Sequence, residues 1–314
     1  MKKINLIGGG TGIYTLLTGL KHFNCELTSI VSMMDSGGST GKLRDEFGIL
    51  PVGDVRRSLL ALSENREIMR KLFDYRFQNG GGLKDHSLGN LILTALSKIS
   101  GSDVQAIEDA CEILNIKGRI LPITIDNSHL CAELETGQII KGETHIDIPK
   151  HDSNLKIKKL FLEPSALAYS KAVEALKESD FIIIGPGDLY TSVIANLVVD
   201  KIPEAIKSSK AKKVYVCNLM TKQGETNNFS ITDHLSEIIK YLGEDTIDYV
   251  IYNSQMPTEQ QLEQYSSEKS KPVHIDNQNF SKFKAQFIGR PLTSSFSLVR
   301  HDADKVANII LNLD

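Results

Sequence analysis

The sequence predicts a doubly wound, mostly parallel α/β sheet of the Rossmann-like class, with helical and β-hairpin insertions, in a single domain over residues 1–314. Three observations support this prediction. Short apolar segments alternate with segments of helical periodicity. Glycine-rich turns follow several of the predicted strands. Phe181–Ile184 is entirely apolar, which is typical of a strand in a sheet covered on both faces.

The N-terminal segment predicts one parallel βαβ unit. Lys3–Ile7 is a strand candidate that runs into a glycine turn, and Leu27–Met34 is a second strand candidate. Between them, four apolar residues recur with the spacing of one helix face: Ile13, Leu16, Leu17 and Leu20. Two parallel strands need such a helical crossover, so the unit indicates a parallel sheet.

A helical insertion is predicted after the second strand, over about residues 44–87. Ser36–Val52 is expected to be rich in loops, and Asp54–Ser63 and Glu67–Phe77 to be helical. A further helix is predicted by an apolar stripe that should face the core: Leu88, Leu91, Ile92, Ala95, Leu96 and Ile99. Asp103–Leu114 is expected to form the next helix, with an acid near its start.

A β-hairpin insertion is predicted over about residues 127–163, after a third strand at Arg119–Ile125. Leu130–Glu135 alternates apolar and polar residues, and Thr136-Gly137 can turn the chain back into Gln138–Lys141. The alternation of helices and strands then resumes, with predicted helices at Ala168–Glu178, around Val193–Val199, between the last two strands and at the C-terminus, and strands at Phe181–Ile184, Val214–Leu219 and Tyr249–Asn253.

Composition excludes several classes of protein. The chain has 36 basic and 39 acidic side chains and a net charge of -3, so it lacks the basic excess that a nucleic-acid partner requires. The apolar segments are too short to span a bilayer, and the N-terminus lacks the apolar core of a signal peptide, so we expect a cytoplasmic protein. The four cysteines form no C-x-x-C pair, which argues against a zinc site or a disulfide framework.

The first candidate site is the turn Gly9-Gly10-Thr11-Gly12, between a strand and a helix. Glycines let a ligand approach the backbone, and a helix start offers free N–H groups to an anion. The turn is not a dinucleotide fingerprint, because Ile13 stands where the third glycine is required. Phosphate or nucleotide binding is favoured over a tight turn without a ligand. Asp35 ends the second strand, where an acid could bind a ribose.

The second candidate is the segment from Asp35 to Lys42. It resembles a phosphate-binding loop in composition, but the glycine spacing is one residue short and Leu43 follows the lysine, so an NTPase is disfavoured. The alternative interpretation is a polar surface loop. Hydroxyl and N–H donors at the end of a strand lie where doubly wound sheets bind ligands.

Further candidates follow later strands. Asp188, after Gly187, could cap a helix, hold a metal or orient a hydroxyl. Asn218 can donate and accept hydrogen bonds, which suits a base edge. Ser87 is a candidate helix cap, whereas Asn90 in the same helical turn could point at the cleft. His86 is expected to be structural.

Several motifs together resemble the CofD-like family, and more closely its gluconeogenesis-factor (YvcK-type) branch. The motifs run from about residue 5 to residue 305: GGGTG, MMDSGGSTGKLR, PVGDVRRSL, HSLGNL, GPGDLYTS, NLMTKQGET and LVRHDADK. One branch of the family transfers 2-phospholactate from a guanylated donor to a deazaflavin. The other resembles a regulator that binds UDP-sugars, notably UDP-N-acetylglucosamine, and is needed for growth and cell shape on gluconeogenic carbon sources.

The resemblance implies a set of ligand-binding residues. A tyrosine and an arginine that contact the nucleotide sugar in that branch fall on Tyr265 and Arg300. With the glycine loops, the expected binding residues are Gly9, Gly10, Thr11, Gly12, Asp35, Ser36, Gly37, Gly38, Ser39, Thr40, Asn90, Gly187, Asp188, Asn218, Thr221, Tyr265 and Arg300.

Three functions follow as hypotheses. The first is a UDP-sugar-binding regulator, which requires no cofactor for binding and no turnover. The second is a phosphotransferase resembling 2-phospho-L-lactate transferase, in which Asp35 or Asp188 would bind Mg²⁺. The third is an NAD-binding oxidoreductase. A homodimer is expected from base rates alone, and a protein partner in cell-envelope synthesis or regulation is compatible with the first hypothesis.

Overall fold

The computed structural model describes residues 1–64, 67–265, 268–294 and 298–313. Its main feature is a seven-stranded parallel sheet in the order β10-β9-β8-β7-β1-β2-β3, beside a three-stranded antiparallel sheet in the order β5-β4-β6. The strands are β1 Lys2–Gly8, β2 Cys25–Val31, β3 Arg119–Pro122, β4 His129–Leu134, β5 Ile139–Lys141, β6 Ile157–Glu163, β7 Phe181–Ile184, β8 Lys212–Val216, β9 Tyr249–Asn253 and β10 Gln286–Arg290.

Helices connect the parallel strands. They are α1 Gly10–Leu20, α2 Gly38–Phe47, α3 Gly53–Leu62, α4 Glu67–Asp74, α5 Leu88–Ser100, α6 Asp103–Ile113, α7 Glu143–Asp147, α8 Ser170–Lys177, α9 Ala195–Leu197, α10 Ile202–Ser208, α11 Ile231–Leu242, α12 Glu259–Glu263 and α13 Ala303–Leu311. Leu189–Ile194 is a short π-helical segment. The predicted fold class is confirmed: a Rossmann-like α/β sheet with helices between β2 and β3 and an antiparallel hairpin after β3.

Apolar burial on both faces holds the parallel sheet. All four residues of β7 are buried, and so are the last five residues of β1. The helix α1 buries the four residues of its predicted apolar face. It packs against α3 and α13, while α10 packs against α8 and α11 as a second group. A sheet covered in this way has strands that read as continuous apolar runs, as the sequence of β7 does.

The strand order places a crevice beside β1. From β1 the chain passes to β2 on one side, whereas β7 lies on the other side of β1. The loops that leave the carboxyl ends of β1 and β7 therefore diverge, and this is the point at which doubly wound sheets bind ligands. The glycine turns after β1 and β7 both lie at this point.

The segment Ser36–Val52 is helical over much of its length, so the prediction of a loop-rich segment is wrong there. Helix α2 begins at Gly38 and ends before Gly48, which adopts the left-handed conformation common after a helix. Its buried face is largely polar: Ser39 bonds His86, and Arg44 donates to the side chain of Asn127. Because this face is held by hydrogen bonds, the sequence carries no apolar stripe that would have predicted the helix.

Helix α5 is confirmed as a helix, but its apolar stripe faces the core only in part: Leu91, Ile92 and Leu96 are half-buried against the core and are not the most buried residues of the helix. Its buried residues are Gly89, Asn90, Leu93, Thr94 and Ser97. In contrast, the Ile99 side chain at the end of the stripe is 81% exposed. Gly89 lets the carbonyl of Phe73 approach to 2.4 Å from where a Cβ would stand, so the helix packs closely on its small and polar side.

Other predictions have mixed outcomes. The strands predicted by apolar runs are present with small shifts at their ends, but no local pattern predicted β10 or α10. Ser87 is confirmed as an N-cap, since its hydroxyl accepts from the Asn90 N–H. The four cysteines are free thiols. In the described part of the chain no helix combines the length and the apolar character needed to cross a bilayer.

A glycine substitution tests the packing of α1 on α13. Gly19→Ala should raise helix propensity, yet its Cβ would lie 2.5 Å from the Ala303 carbonyl oxygen. We expect the clash to prevail and to lower the free energy of unfolding by about 1–3 kcal/mol. The control is Gly82→Ala, which meets no atom within 4 Å. Urea unfolding measures both, and a stabilised Gly19→Ala protein would contradict the packing.

Candidate functional site

Nine of the predicted residues line one cavity of about 190 Å³ at the crevice beside β1, which we call the glycine cavity. They come from the loops after β1, β7 and β8 and from the C-terminal part of the chain: Gly9, Gly10, Thr11, Gly12, Gly187, Asp188, Asn218, Tyr265 and Arg300. Residues almost 300 positions apart therefore surround a common space, which the order of the parallel strands makes possible.

Close contact between two loops shapes the glycine cavity. A Cβ at Gly12 would stand 2.2 Å from the carbonyl oxygen of Pro186, so only glycine lets the first turn of α1 lie against the loop after β7. The Gly187 N–H donates to the side-chain oxygen of Asn218 at 3.3 Å, which attaches the loop after β8. The oxygen of Asn218 is thus engaged, and its NH₂ group is the donor available for a ligand.

A carboxylate that the sequence did not suggest lies at the start of α1. Asp54 accepts the Gly10 N–H at 2.9 Å, and a Cβ at Gly9 would collide with its side chain. Burial and the nearby charge of Asp35 raise the pKa of Asp54 to about 6, while the Arg57 guanidinium 3.4 Å away opposes this shift. Because Asp54 occupies the Gly10 N–H, a bound anion would use the amides further along the first turn of α1.

Tyr265 and Arg300 lie together because their segments bond to each other. The Tyr265 hydroxyl accepts from the Val299 N–H at 3.2 Å, next to Arg300 in the chain. The adjacent His301 donates from Nε2 to the Cys217 carbonyl, and burial lowers the pKa of His301 to about 4. His301 is therefore neutral near pH 7, which leaves the exposed guanidinium of Arg300 as the positive charge at this wall.

A second cavity of about 420 Å³ adjoins the first and shares Gly10, Thr11, Asp188 and Ser192 with it. We call it the acidic cavity, because five carboxylates line it: Asp35, Asp54, Glu143, Asp147 and Asp188. Gly37 and Gly38 also line it. Burial, with the charges of Asp35 and Asp147, raises the pKa of Glu143 to about 8, so this side chain is largely protonated near pH 7.

Lys222 neutralises part of the acidic cavity. Its Nζ lies 2.7 Å from Asp188 and 3.3 Å from Glu225, and it also bonds Asp147. Burial opposes the charged form of Lys222, but the three carboxylates outweigh it and raise the pKa of Lys222. Burial raises the pKa of Glu225 to about 7 despite the lysine. One oxygen from each of the three acids lies within 4.8 Å of the others, a spacing compatible with metal ligands.

The remaining predicted residues lie outside both cavities. Ser36 bonds Thr144 through their hydroxyls at 3.1 Å. Ser39, Thr40 and Asn90 are buried together, and the Asn90 NH₂ group donates to both hydroxyls. Thr221 pairs with Lys271 and lines a separate surface cavity.

Asp188 does not cap the segment that follows it, since its side chain bonds Lys222 instead.

Five residues at this site were not predicted as site residues from the sequence: Asp54, Glu143, Asp147, Lys222 and Glu225. Asp54 is in the motif PVGDVRRSL, and Lys222 and Glu225 are in NLMTKQGET, so their motifs were recognised without their roles. Glu143 and Asp147 are four residues apart, the spacing of one helix face, which is the only local sign that both point the same way.

The fold and the two cavities define a doubly wound α/β protein with a polar cleft at the switch point of its sheet. The chain belongs to the CofD family, because the family model described as 2-phospho-L-lactate transferase CofD matches residues 4–293. A protein of Thermotoga maritima is 44% identical over 98% of both chains.

Two relatives with a named function and one solved structure extend this similarity. A protein of Halalkalibacterium halodurans named gluconeogenesis factor is 42% identical, and the alignment covers 99% of this chain and 97% of the relative. A Bacillus subtilis protein of the same name is 39% identical, and the alignment covers 99% of this chain and 98% of the relative. A crystal structure of a Bacillus halodurans protein superposes with a TM-score of 0.95 at 40% identity and covers 99% of each chain.

The raised pKa of Glu143 predicts a pH-dependent stability. Between the ordinary value near 4.5 and about 8, the folded chain holds a proton that the unfolded chain has lost, so Glu143 destabilises the fold as pH rises through this interval. Glu143→Gln has no such loss. We expect its melting temperature relative to wild type to rise by about 3 °C or more between pH 5 and about pH 9.

The matched control is Glu46→Gln, which changes an exposed carboxylate on α2. Differential scanning calorimetry across the pH range measures all three proteins. A Glu143→Gln difference that stays constant with pH would contradict the raised pKa of Glu143.

Proposed function

We propose that the chain is a nucleotide-sugar-binding regulator, a gluconeogenesis factor that binds UDP-N-acetylglucosamine or UDP-glucose and is needed for growth and cell shape on gluconeogenic carbon sources. The observation that carries the proposal is the glycine cavity, in which the start of α1, Asn218, Tyr265 and Arg300 surround a common space. The names of the Halalkalibacterium and Bacillus relatives support the physiological part.

The chemistry of the cleft suits a diphosphate joined to two neutral groups. Backbone N–H groups at the start of the eleven-residue helix α1 favour an anion, and the planar guanidinium of Arg300 can grip a phosphate through two hydrogen bonds. The Tyr265 ring can stack on a base, and the NH₂ group of Asn218 can donate to a base carbonyl. The carboxylates of the acidic cavity can accept hydrogen bonds from sugar hydroxyls.

Binding to a set of nucleotides tests the proposal. We expect UDP-N-acetylglucosamine to raise the melting temperature, since a ligand at a hundredfold excess over Kd adds about 2.7 kcal/mol to the folded state. NAD and GDP should raise it less. A shift given by NAD and lost in Asp35→Ala would instead favour the dinucleotide hypothesis, and no shift with any UDP-sugar would refute the proposal.

The role of Arg300 is tested by substitution. Arg300→Ala should weaken UDP-N-acetylglucosamine by about 10- to 100-fold, because a charge-assisted bond to phosphate is lost. The matched control is Arg119→Ala, an exposed arginine at the amino end of β3, at the opposite end of the sheet. Titration calorimetry measures both, and equal affinities of the two variants would show that Arg300 is not in the site.

A phosphotransferase is the second candidate, and the arrangement of Asp147, Asp188 and Glu225 favours it, as does the description of the family model. The three acids fit a divalent cation in number and spacing, but Lys222 now bonds all of them and would have to yield to it. Bound Mg²⁺ would stabilise negative charge on a transferring phosphoryl group. Asp188 also borders the glycine cavity, so it could hold such an ion beside the diphosphate.

Turnover distinguishes the two candidates. We expect no product when the protein is incubated with Mg²⁺ and UDP-sugars or guanylated donors and followed by ³¹P NMR. Release of nucleoside phosphate above the rate without protein, with water or an added alcohol accepting the remaining phosphoryl group, and its loss in Asp188→Asn, would identify phosphoryl-transfer activity. The exposed residue Asp245 provides the control substitution Asp245→Asn, which should leave any such activity unchanged.

A further inference from the structure

A third cavity, of about 490 Å³, adjoins the glycine cavity and shares Thr11 and Arg300 with it. We call it the basic cavity, because five cations line it: Arg56, Arg57, Arg70, Lys71 and Arg300. Glu67 and Asp74 are the carboxylates among its lining residues, so positive charge predominates there. The acidic and basic cavities have Thr11 and Arg57 in common.

The local ion pairs do not cancel this positive charge. Lys71 pairs with Glu67 at 2.8 Å, but both side chains are more than two-thirds exposed, so water screens the pair. Arg57 faces Asp54, which itself belongs to the acidic cavity. Within the described ranges, the side chains of Arg70 and Arg300 make no ion pair.

Arg56 is the strongest indication of a ligand. Its side chain is only 8% exposed, and its Nη1 donates to Asp74 at 2.8 Å and to the Phe73 carbonyl. Its Nε has no hydrogen-bond partner among the residues that the structure describes. A buried guanidinium with an unpaired N–H is costly, and burial accordingly lowers the pKa of Arg56. Arg56 is therefore only partly paired, although four other cations line the same cavity.

We propose that the basic cavity is a second anion-binding site, which takes the phosphate group of a small phosphomonoester. Arg70 would bind the phosphate oxygens, since a guanidinium group matches their geometry in a bidentate manner, and the charge of the partly paired Arg56 would add to the attraction. Tyr14 and Leu60, which also line the cavity, would contact an apolar part of the ligand. Its occupation weakens nucleotide binding in the glycine cavity, because both ligands are anions and both approach Arg300.

The coupling between the two ligands rests on the proposed function, but the anion site itself does not. Coupling between two binding sites is reciprocal, so a nucleotide that is weakened by the phosphomonoester must weaken the phosphomonoester by the same factor. A regulator with such a pair of sites would bind either the nucleotide or the phosphomonoester more weakly when the other is present, through the shared Arg300.

The test uses inorganic phosphate and phenyl phosphate as probes, with ³¹P NMR titration of the protein at constant ionic strength. We expect both probes to bind, and phenyl phosphate to bind more tightly because its ring adds apolar contact. The double variant Arg70→Ala with Lys71→Ala should raise both Kd values at least about tenfold. The control double variant, Arg119→Ala with Lys177→Ala, removes the same charges from exposed positions elsewhere and should change neither.

A second titration separates the two sites. In the wild type, phenyl phosphate should raise the Kd of UDP-N-acetylglucosamine to a plateau, and the Arg70→Ala, Lys71→Ala variant should keep the nucleotide affinity but lose this effect. The inference would be overturned if phenyl phosphate raised the Kd of UDP-N-acetylglucosamine without reaching a plateau and did so in the variant as well. It would also be overturned if neither probe bound. If UDP-N-acetylglucosamine does not bind at all, the proposed function fails, while the first titration still decides the anion site.

Discussion

The contact between Gly12 and the carbonyl of Pro186 joins the two halves of the parallel sheet at their carboxyl ends. It brings the first turn of α1 against the loop after β7, and a Cβ on Gly12 would prevent this approach. The bond from Gly187 to Asn218 then attaches the loop after β8. The glycine cavity exists because these loops meet, and its position follows from the placement of β7 beside β1.

Charge is divided around this contact in an unusual way. Asp54 bonds the start of α1, where a ligand anion is expected, and its partner Arg57 lines both the acidic and the basic cavity. In the acidic cavity, Lys222 offsets some of the negative charge, and the raised pKa values of Glu143 and Asp54 mark carboxylates without sufficient counter-charge. A neutral or hydroxyl-rich group suits the acidic cavity better than an anion does, whereas the basic cavity favours an anion.

Local sequence predicts a strand or helix well where the buried face of that element is apolar. Apolar runs located β1, β2, β7, β8 and β9, because strands buried on both faces need such runs. Helix α2 was missed since its inner face is held by bonds such as Ser39 to His86 and has no apolar period. The stripe of α5 predicted only part of its packed face, because the most buried positions include glycine and small polar residues, which periodicity treats as solvent-facing.

The sequence by itself determined the fold class, the glycine turns and the family, because each of these is written in short segments of the chain. The family resemblance also predicted that Tyr265 and Arg300 belong to one site, and both line the glycine cavity. Only the tertiary structure decided that Asp54 meets Gly10, that Lys222 meets three acids, and that cations from α3, α4 and the C-terminal part share one cavity. These contacts join residues far apart in the chain, and no local pattern records which of them the folded backbone will bring together.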